Sequence, residues 1–429
     1  MSRRPLLTLL AALPFLAPLA ASAAGVESFQ HGGRATAQAG AFTARADDPS
    51  AVTYNPAGIV QLDGLQILGG LDFRNASDDF LSSAGNHRAN HTIQFPPAFY
   101  LTWKPAEDSS WALGLGLDTP AWYRVEWNTA LFPGRFTTRL QEVRFFELHP
   151  VAAYQLNERW SVGGGVRYLT GTLEYGFNVL GEGLDPATLQ LVAAELEATT
   201  EADVDALAFD LGVTYDANVW GFGAVYRSAA KLEGRGDFDL SVRDINAPQS
   251  ESFILSRFPY DRAEQGFEMP AELRGGLWVA PYPELRIELD ASLQTWSSLG
   301  DGDVVVQPAS GAGTTAPVVI DRPRDWDDTI SLRLGIEGDV SEQLSLMGGV
   351  ALEPSPVPDA TREPGYPRGD ALVYAVGASY HFPRISFDLG YSYHDYDTVN
   401  ENPEDLGGVA GGRYSGFEHA WSFSVRWRR

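Results

Sequence analysis

His87 and His91, in the stretch Asn-His-Arg-Ala-Asn-His, are the first pair in this sequence whose type and spacing could hold a metal ion. A zinc site needs three or four ligands in a fixed arrangement, and no acidic or sulfur partner stands in pattern beside them. The pair is therefore expected to be solvated loop, and no metal is expected. The acidic runs Gly-Asp-Gly-Asp at 300–303 and Asp-Trp-Asp-Asp at 325–328 offer the oxygen ligands that calcium takes, and could bridge lipopolysaccharide through it. Neither fits the twelve-residue calcium loop, so solvated loops are expected there too. Neither Gly-x-Ser-x-Gly nor His-Glu-x-x-His occurs, and there is no cysteine to act as nucleophile or to form a disulfide. No enzyme and no cofactor are expected. What remains is a set of arginines on strand-like segments: Arg167, Arg227, Arg274 and Arg333. Each could meet a ligand carboxylate in a charge-assisted pair, although an arginine inside a barrel more often pairs with a carboxylate of its own wall.

These side chains need elements to hold them. Residues 1–23 have a basic start at Arg3 and Arg4, an apolar middle and the small-residue pattern Ala21-Ser22-Ala23, which is the pattern of a secretory signal peptide cleaved after Ala23. Later in the chain no apolar run reaches the roughly 18 residues of a membrane helix, so a membrane protein of this sequence must cross with strands. The formal net charge of −25 argues against a nucleic-acid partner, whose phosphates demand a basic surface.

Alternation by twos dominates the sequence. In 111–117, Trp111, Leu113, Leu115 and Leu117 fall on one face and Ala112, Gly114 and Gly116 on the other. About fourteen such segments occur, near 65–75, 92–104, 109–119, 141–155, 159–177, 204–217, 219–240, 267–280, 284–297, 327–338, 343–353, 370–382, 384–397 and 416–427. Their connectors alternate between short turns and long loops. A soluble β-sandwich would also alternate, but its second face would look to water. Here that face carries Gly and Ala beside scattered charges, which suits a crowded barrel interior. The reading is an all-β transmembrane antiparallel barrel of about 14 strands. One long loop breaks the pattern: Asp185 and Pro186 could start a helix, with Leu189, Val192 and Leu196 at helical spacing. It is expected as a loop helix, with a capture groove for apolar solutes as its sharper reading. Pro120 lacks a ladder donor and either ends or kinks the third strand.

Four stretches resemble the FadL/TodX (OmpP1) family of outer-membrane transporters for hydrophobic compounds. They are the segment from Ala24 to Gly64, with Gly-Arg-Ala at 33–35 and Asn-Pro-Ala at 55–57; the Met-Pro to Trp-Ser segment at 269–297; the late stretch from Arg324 ending in Ser-Pro-Val-Pro-Asp at 355–359; and the hairpin at 374–394. The resemblance implies a barrel at 65–429 whose lumen is closed by an N-terminal hatch at 24–64, with Gly33, Arg34, Asn55, Pro56 and Ala57 as hatch residues. It also implies ligand capture near the outer loops and sideways release beside a kink in the third strand. The sequence departs from the pattern at its end, where Trp427 is followed by Arg428 and Arg429.

A long alkyl chain gains about 0.8 kcal/mol per buried CH₂, so a sixteen-carbon chain favours apolar surroundings by on the order of 10 kcal/mol. A water-filled pore is the wrong path for it. The expected function is passive uptake of long-chain fatty acids or other hydrophobic compounds by a monomer set among outer-membrane lipid and lipopolysaccharide. The alternative is a surface adhesin or structural barrel, since the long loops are acidic.

Overall fold

The computed structural model describes residues 31–83, 85–127, 131–400 and 412–429. The signal-peptide segment lies outside them. Fourteen barrel strands occur among the described residues. The first seven are β1 Gly64–Ser82, β2 Pro97–Lys104, β3 Trp111–Glu126, β4 Leu140–Gln155, β5 Trp160–Asp185, β6 Gln190–Asp216 and β7 Trp220–Arg227, continued as Ala230–Ile245. Then come β8 Tyr260–Met269, continued as Glu272–Tyr282, β9 Leu285–Gln294, β10 Thr329–Asp339, β11 Leu344–Glu353, β12 Ala371–His381, β13 Ile385–Asn400 and β14 Arg413–Arg428.

Each strand pairs antiparallel with the next in sequence, and β14 returns to β1 through Gln66↔Arg428 to Leu81↔Arg413, which closes the barrel. Closure pairs the strands on both sides over most of their length, as backbone polar groups inside a bilayer require. Outward positions carry exposed apolar side chains such as Leu113, Leu117, Val166, Leu207, Leu211, Leu289 and Phe423. Aromatic clusters ring the short-turn end, where Trp160 packs on Tyr215 and Phe222. This is the apolar band and girdle of a membrane barrel.

The first residues of the expected hatch, 24–30, lie outside the described residues. The described part of the segment ahead of β1, from residue 31 on, lies inside the barrel. It contains two single-turn helices, α1 Gly33–Thr36 and α2 Ala51–Tyr54, then a 3₁₀ turn at Pro56–Gln61. Its side chains are almost all buried. The small inward face noted in the sequence is what admits it. A Cβ at Gly212 would stand 2.2 Å from Asn55 Oδ1, and one at Gly349 would stand 2.4 Å from the backbone of Gln38. Any side chain there would push the segment off the wall.

The loop helix expected at 185–200 is not formed. β5 and β6 run on as one long hairpin to Asp185↔Gln190. Leu189 sits in the turn with φ 56° and is exposed, whereas Val192 and Leu196 alternate inward and are buried. They pack under a short helix from the next loop, α3 Glu251–Leu255, chiefly on Ile254. Cross-strand pairing overrode the helical spacing, so the three leucine and valine positions do not line one groove. Asp185 caps the turn instead, accepting from Ala187 N at 2.8 Å and from Ser250 Oγ at 2.6 Å.

Candidate functional site

The inner segment is held by ion pairs and by carboxylates that grip its backbone. Arg34 reaches Asp47 at 2.8 Å, Asp48 at 3.2 Å and the β10 residue Glu337 at 2.9 Å, while Arg45 meets the same Glu337 at 3.0 Å. The Phe42 ring packs near both guanidinium groups, 5.3 and 5.4 Å from its centroid. On β9, Asp290 accepts from Phe42 N and Thr43 N, and Glu288 accepts from Ala44 N. Asn55 joins three parts: its Nδ2 donates to Thr43 O and to Val213 O of β6, and its Oδ1 accepts from Ala57 N. Gly33, Pro56 and Ala57 are buried against the wall, and Gly33 N donates to Ser424 Oγ of β14. Buried charge is costly unless paired, so this density of pairing keeps the segment docked.

Beside β3 the wall is interrupted. The β2 ladder stops at Phe99↔Leu117, and the β4 ladder shifts register between Asp118 and Ala121. Thr119 and Pro120 are thus a β-bulge, which flips the outward positions from odd numbers to even ones. Pro120 therefore bends β3 rather than ending it. Above the bulge β3 has no ladder partner on its β2 side, until Asn90 N donates to Glu126 O at 2.7 Å. The lower end of the interruption is closed by Thr119 Oγ1, which donates to Pro97 O, and by His31 of the inner segment. His31 Nδ1 is 3.0 Å from Asp72 Oδ2 of β1, and its Nε2 is 3.0 Å from Thr119 O.

Within the lumen, polarity changes at one height. On six consecutive strands an inward charged residue is followed, toward the long loops, by inward apolar ones: Asp118 by Ala121, Glu147 by Phe145, Arg167 by Leu169, Asp210 by Ala208, Arg227 by Ala230 and Glu272 by Met269. The lower tier is a charged belt. Three of the four sequence-nominated arginines sit in it, and all four pair with carboxylates: Arg167 and Arg227 with Glu147, Arg274 with Glu272, and Arg333 with Glu353. His149 bridges into it through Asp210 at 3.1 Å. The upper tier is one apolar cluster including Phe80, Tyr123, Trp127, Phe145, Leu173, Phe267 and Trp326. Its β3 members Ala121, Tyr123 and Val125 line the interruption itself.

One cation in the upper tier differs. Arg324, in the coil before β10, is buried, with its guanidinium 5.1 Å from the Phe267 ring and 5.5 Å from the Trp326 ring. No carboxylate lies within ion-pair distance of it among the described residues, and the buried Tyr366 hydroxyl has no hydrogen-bond partner. Burial pulls its pKa below the usual arginine value and pushes that of Tyr366 up. Its neighbour Arg322 is also desolvated, but Glu363 pairs with it and raises it. Sequence reasoning missed Arg324, because only the folding of a loop into the lumen places it among aromatics.

Of the loop residues expected to be solvated, His91, Asp301, Asp325, Asp327 and Asp328 are exposed, whereas Asp303 is half-buried and His87 is buried. Asp303 accepts from Arg322 N, Asp328 accepts from Ser297 N, and Trp326 joins the core. His87 packs between the Phe80 and Phe132 rings. Among the described residues no cluster of three or more His, Asp or Glu fits a metal.

A closed membrane barrel with an ion-paired segment in its lower lumen, an apolar upper lumen and an interrupted wall is an outer-membrane β-barrel by architecture. Residues 15–428 match the model of the outer membrane protein transport protein family (OMPP1/FadL/TodX), and the chain belongs to that family. The long-chain fatty acid transport proteins of Salmonella typhi and Escherichia coli K12 are 22% and 23% identical to it, each over 86% of this chain and 87% of their own. Among solved structures, a Pseudomonas aeruginosa FadL homologue matches at 18% identity with a TM-score of 0.79, over 94% of this chain and 100% of its own. The P. putida toluene transporter TodX matches at 17% with a TM-score of 0.72, over 94% and 99%. The chain is an outer-membrane β-barrel of a family of transporters for hydrophobic compounds.

Proposed function

We propose that this protein is a passive channel for long-chain fatty acids, which enter the apolar upper lumen from outside and leave sideways into the membrane beside β3. The observation that carries this reading is the place of the apolar tier: it ends below on the charged belt and reaches the interruption above Thr119. An alkyl chain pushed straight down would have to displace buried ion pairs, whereas the sideways path keeps it in apolar surroundings. Arg324 favours an acid over a neutral hydrocarbon, since a carboxylate would supply the anion that this buried cation lacks. The inner segment acts as the gate, with His31 withdrawing from Thr119 when ligand arrives.

Uptake of labelled oleate by cells that lack their own fatty-acid channel tests the reading. Expression of this protein should raise the initial rate several-fold. A rate equal to that of the empty vector, with folded protein in the outer membrane, would overturn it.

A further inference from the structure

Residues 354–369 connect β11 to β12, neighbouring strands, yet they do not stay on that side of the barrel. In a ring of fourteen strands β4 lies opposite β11, and the connection reaches β3 and the residues that enter β4. Trp127 Nε1 donates to Pro364 O at 2.9 Å, Tyr123 Oη donates to Gly365 O at 2.9 Å, and Thr138 Oγ1 donates to Glu363 Oε2 at 3.0 Å. Val357, Arg362, Pro364, Gly365 and Tyr366 are buried, the last between Trp326 and Tyr123. The segment is therefore a strap across the bore, lying on top of the apolar tier.

Its return end is clasped. Arg368 forms a two-nitrogen pair with Asp78 of β1, at 3.0 and 3.1 Å, and meets Glu418 of β14 at 3.2 Å. Its guanidinium lies 5.1 Å from the rings of both Tyr123 and Tyr396. Because the strap has no regular secondary structure, its position rests on this clasp, on the bonds at its crest, on the Glu363–Arg322 pair and on the bond from Asp327 N to Pro356 O. Anything entering from outside meets it before reaching Arg324, whose carbonyl also accepts from the strap residue Thr361.

The geometry points to residues 354–369 as an outer gate, closed across the lumen and released when Arg368 leaves Asp78 and Glu418. This goes beyond the proposed path, whose own gate is the inner segment at the opposite end. An outer gate would let ligand in only while the inner segment stays docked, so that the bore is never open throughout.

The chain has no cysteine, and a Cβ built on Gly365 would stand 3.4 Å from the Cβ of Gln141 on β4, close to the roughly 3.5–4.5 Å that a disulfide spans. The variant carrying Gly365→Cys and Gln141→Cys can therefore tie the strap shut. Oxidised, it should take up oleate at least tenfold more slowly than the same preparation reduced; equal rates would overturn the gate. Labelling of Gln141→Cys alone by an impermeant maleimide gives a readout free of transport. Adding Arg368→Ala, in protein that keeps the folded barrel's electrophoretic migration, should speed labelling at least tenfold, and an unchanged rate would overturn the gate even if oleate is not the ligand.

Discussion

His31 Nε2 stands 3.0 Å from the carbonyl oxygen of Thr119, at the place where β3 loses its ladder to β2. The bulge at Thr119 and Pro120 turns that carbonyl away from strand pairing, and His31 of the inner segment occupies it. The same imidazole holds Asp72, so a single side chain ties the inner segment to both sides of the break.

Replacing His31 by Ala leaves the buried Asp72 carboxylate without its main partner, a loss of about 1–3 kcal/mol. The docked state at this position should weaken by about tenfold or more. Oleate uptake in the variant is expected to rise, with barrel stability little changed. An uptake rate identical to wild type would show that His31 is no part of the gate.

Arg34→Met tests docking at the other side of the segment. It strands Asp47 and takes one partner each from Asp48 and Glu337, which keep Ser50 and Arg45, and breaking a buried pair costs up to about 3–5 kcal/mol. The cost falls on the inner segment, because the barrel closes through its own ladders. Limited proteolysis should cut between residues 31 and 62 in the variant while the barrel band survives. Cleavage of the barrel itself at the same protease level would contradict this division.

Deleting Pro120 removes the extra residue of the bulge. Thr119 would then face Phe146, the inward set Asp118 and Ala121 would alternate normally, and β3 could pair upward with the stretch around Thr92–Gln94. The wall should close and uptake should fall several-fold, while the variant melts at an equal or higher temperature. Undiminished uptake would argue that ligand does not leave beside β3.

The strands were legible because a membrane barrel writes its two faces at period two, and all fourteen segments read from alternation correspond to barrel strands. The inward glycines were legible as crowding, and Gly212 and Gly349 supply the reason. The hairpin at 185–190 was not. Leu189, Val192 and Leu196 satisfy a helical spacing, while Val192, Ala194, Leu196 and Ala198 satisfy a strand spacing in the same alanine-rich run. Only the pairing partner, β5, decides between them. Nor could periodicity distinguish an arginine paired in the belt, such as Arg167, from one left alone among aromatics, such as Arg324. That difference depends on where a long loop folds, and loops carry no period.

Arg324 separates an acid-selective channel from a general hydrocarbon channel. Arg324→Gln keeps most of the side chain's size and removes its charge. A charged hydrogen bond contributes about 1.5–3 kcal/mol, so affinity for a long-chain carboxylate should drop by at least about tenfold. A neutral alkane of the same length has nothing to offer the guanidinium and must leave it desolvated, so its binding should hold or improve. Displacement of a fluorescent fatty acid from purified protein, by oleate and by hexadecane in parallel, makes the comparison. Equal losses for both ligands would mean that Arg324 shapes the lumen by packing alone, and that the channel does not choose its ligand by charge.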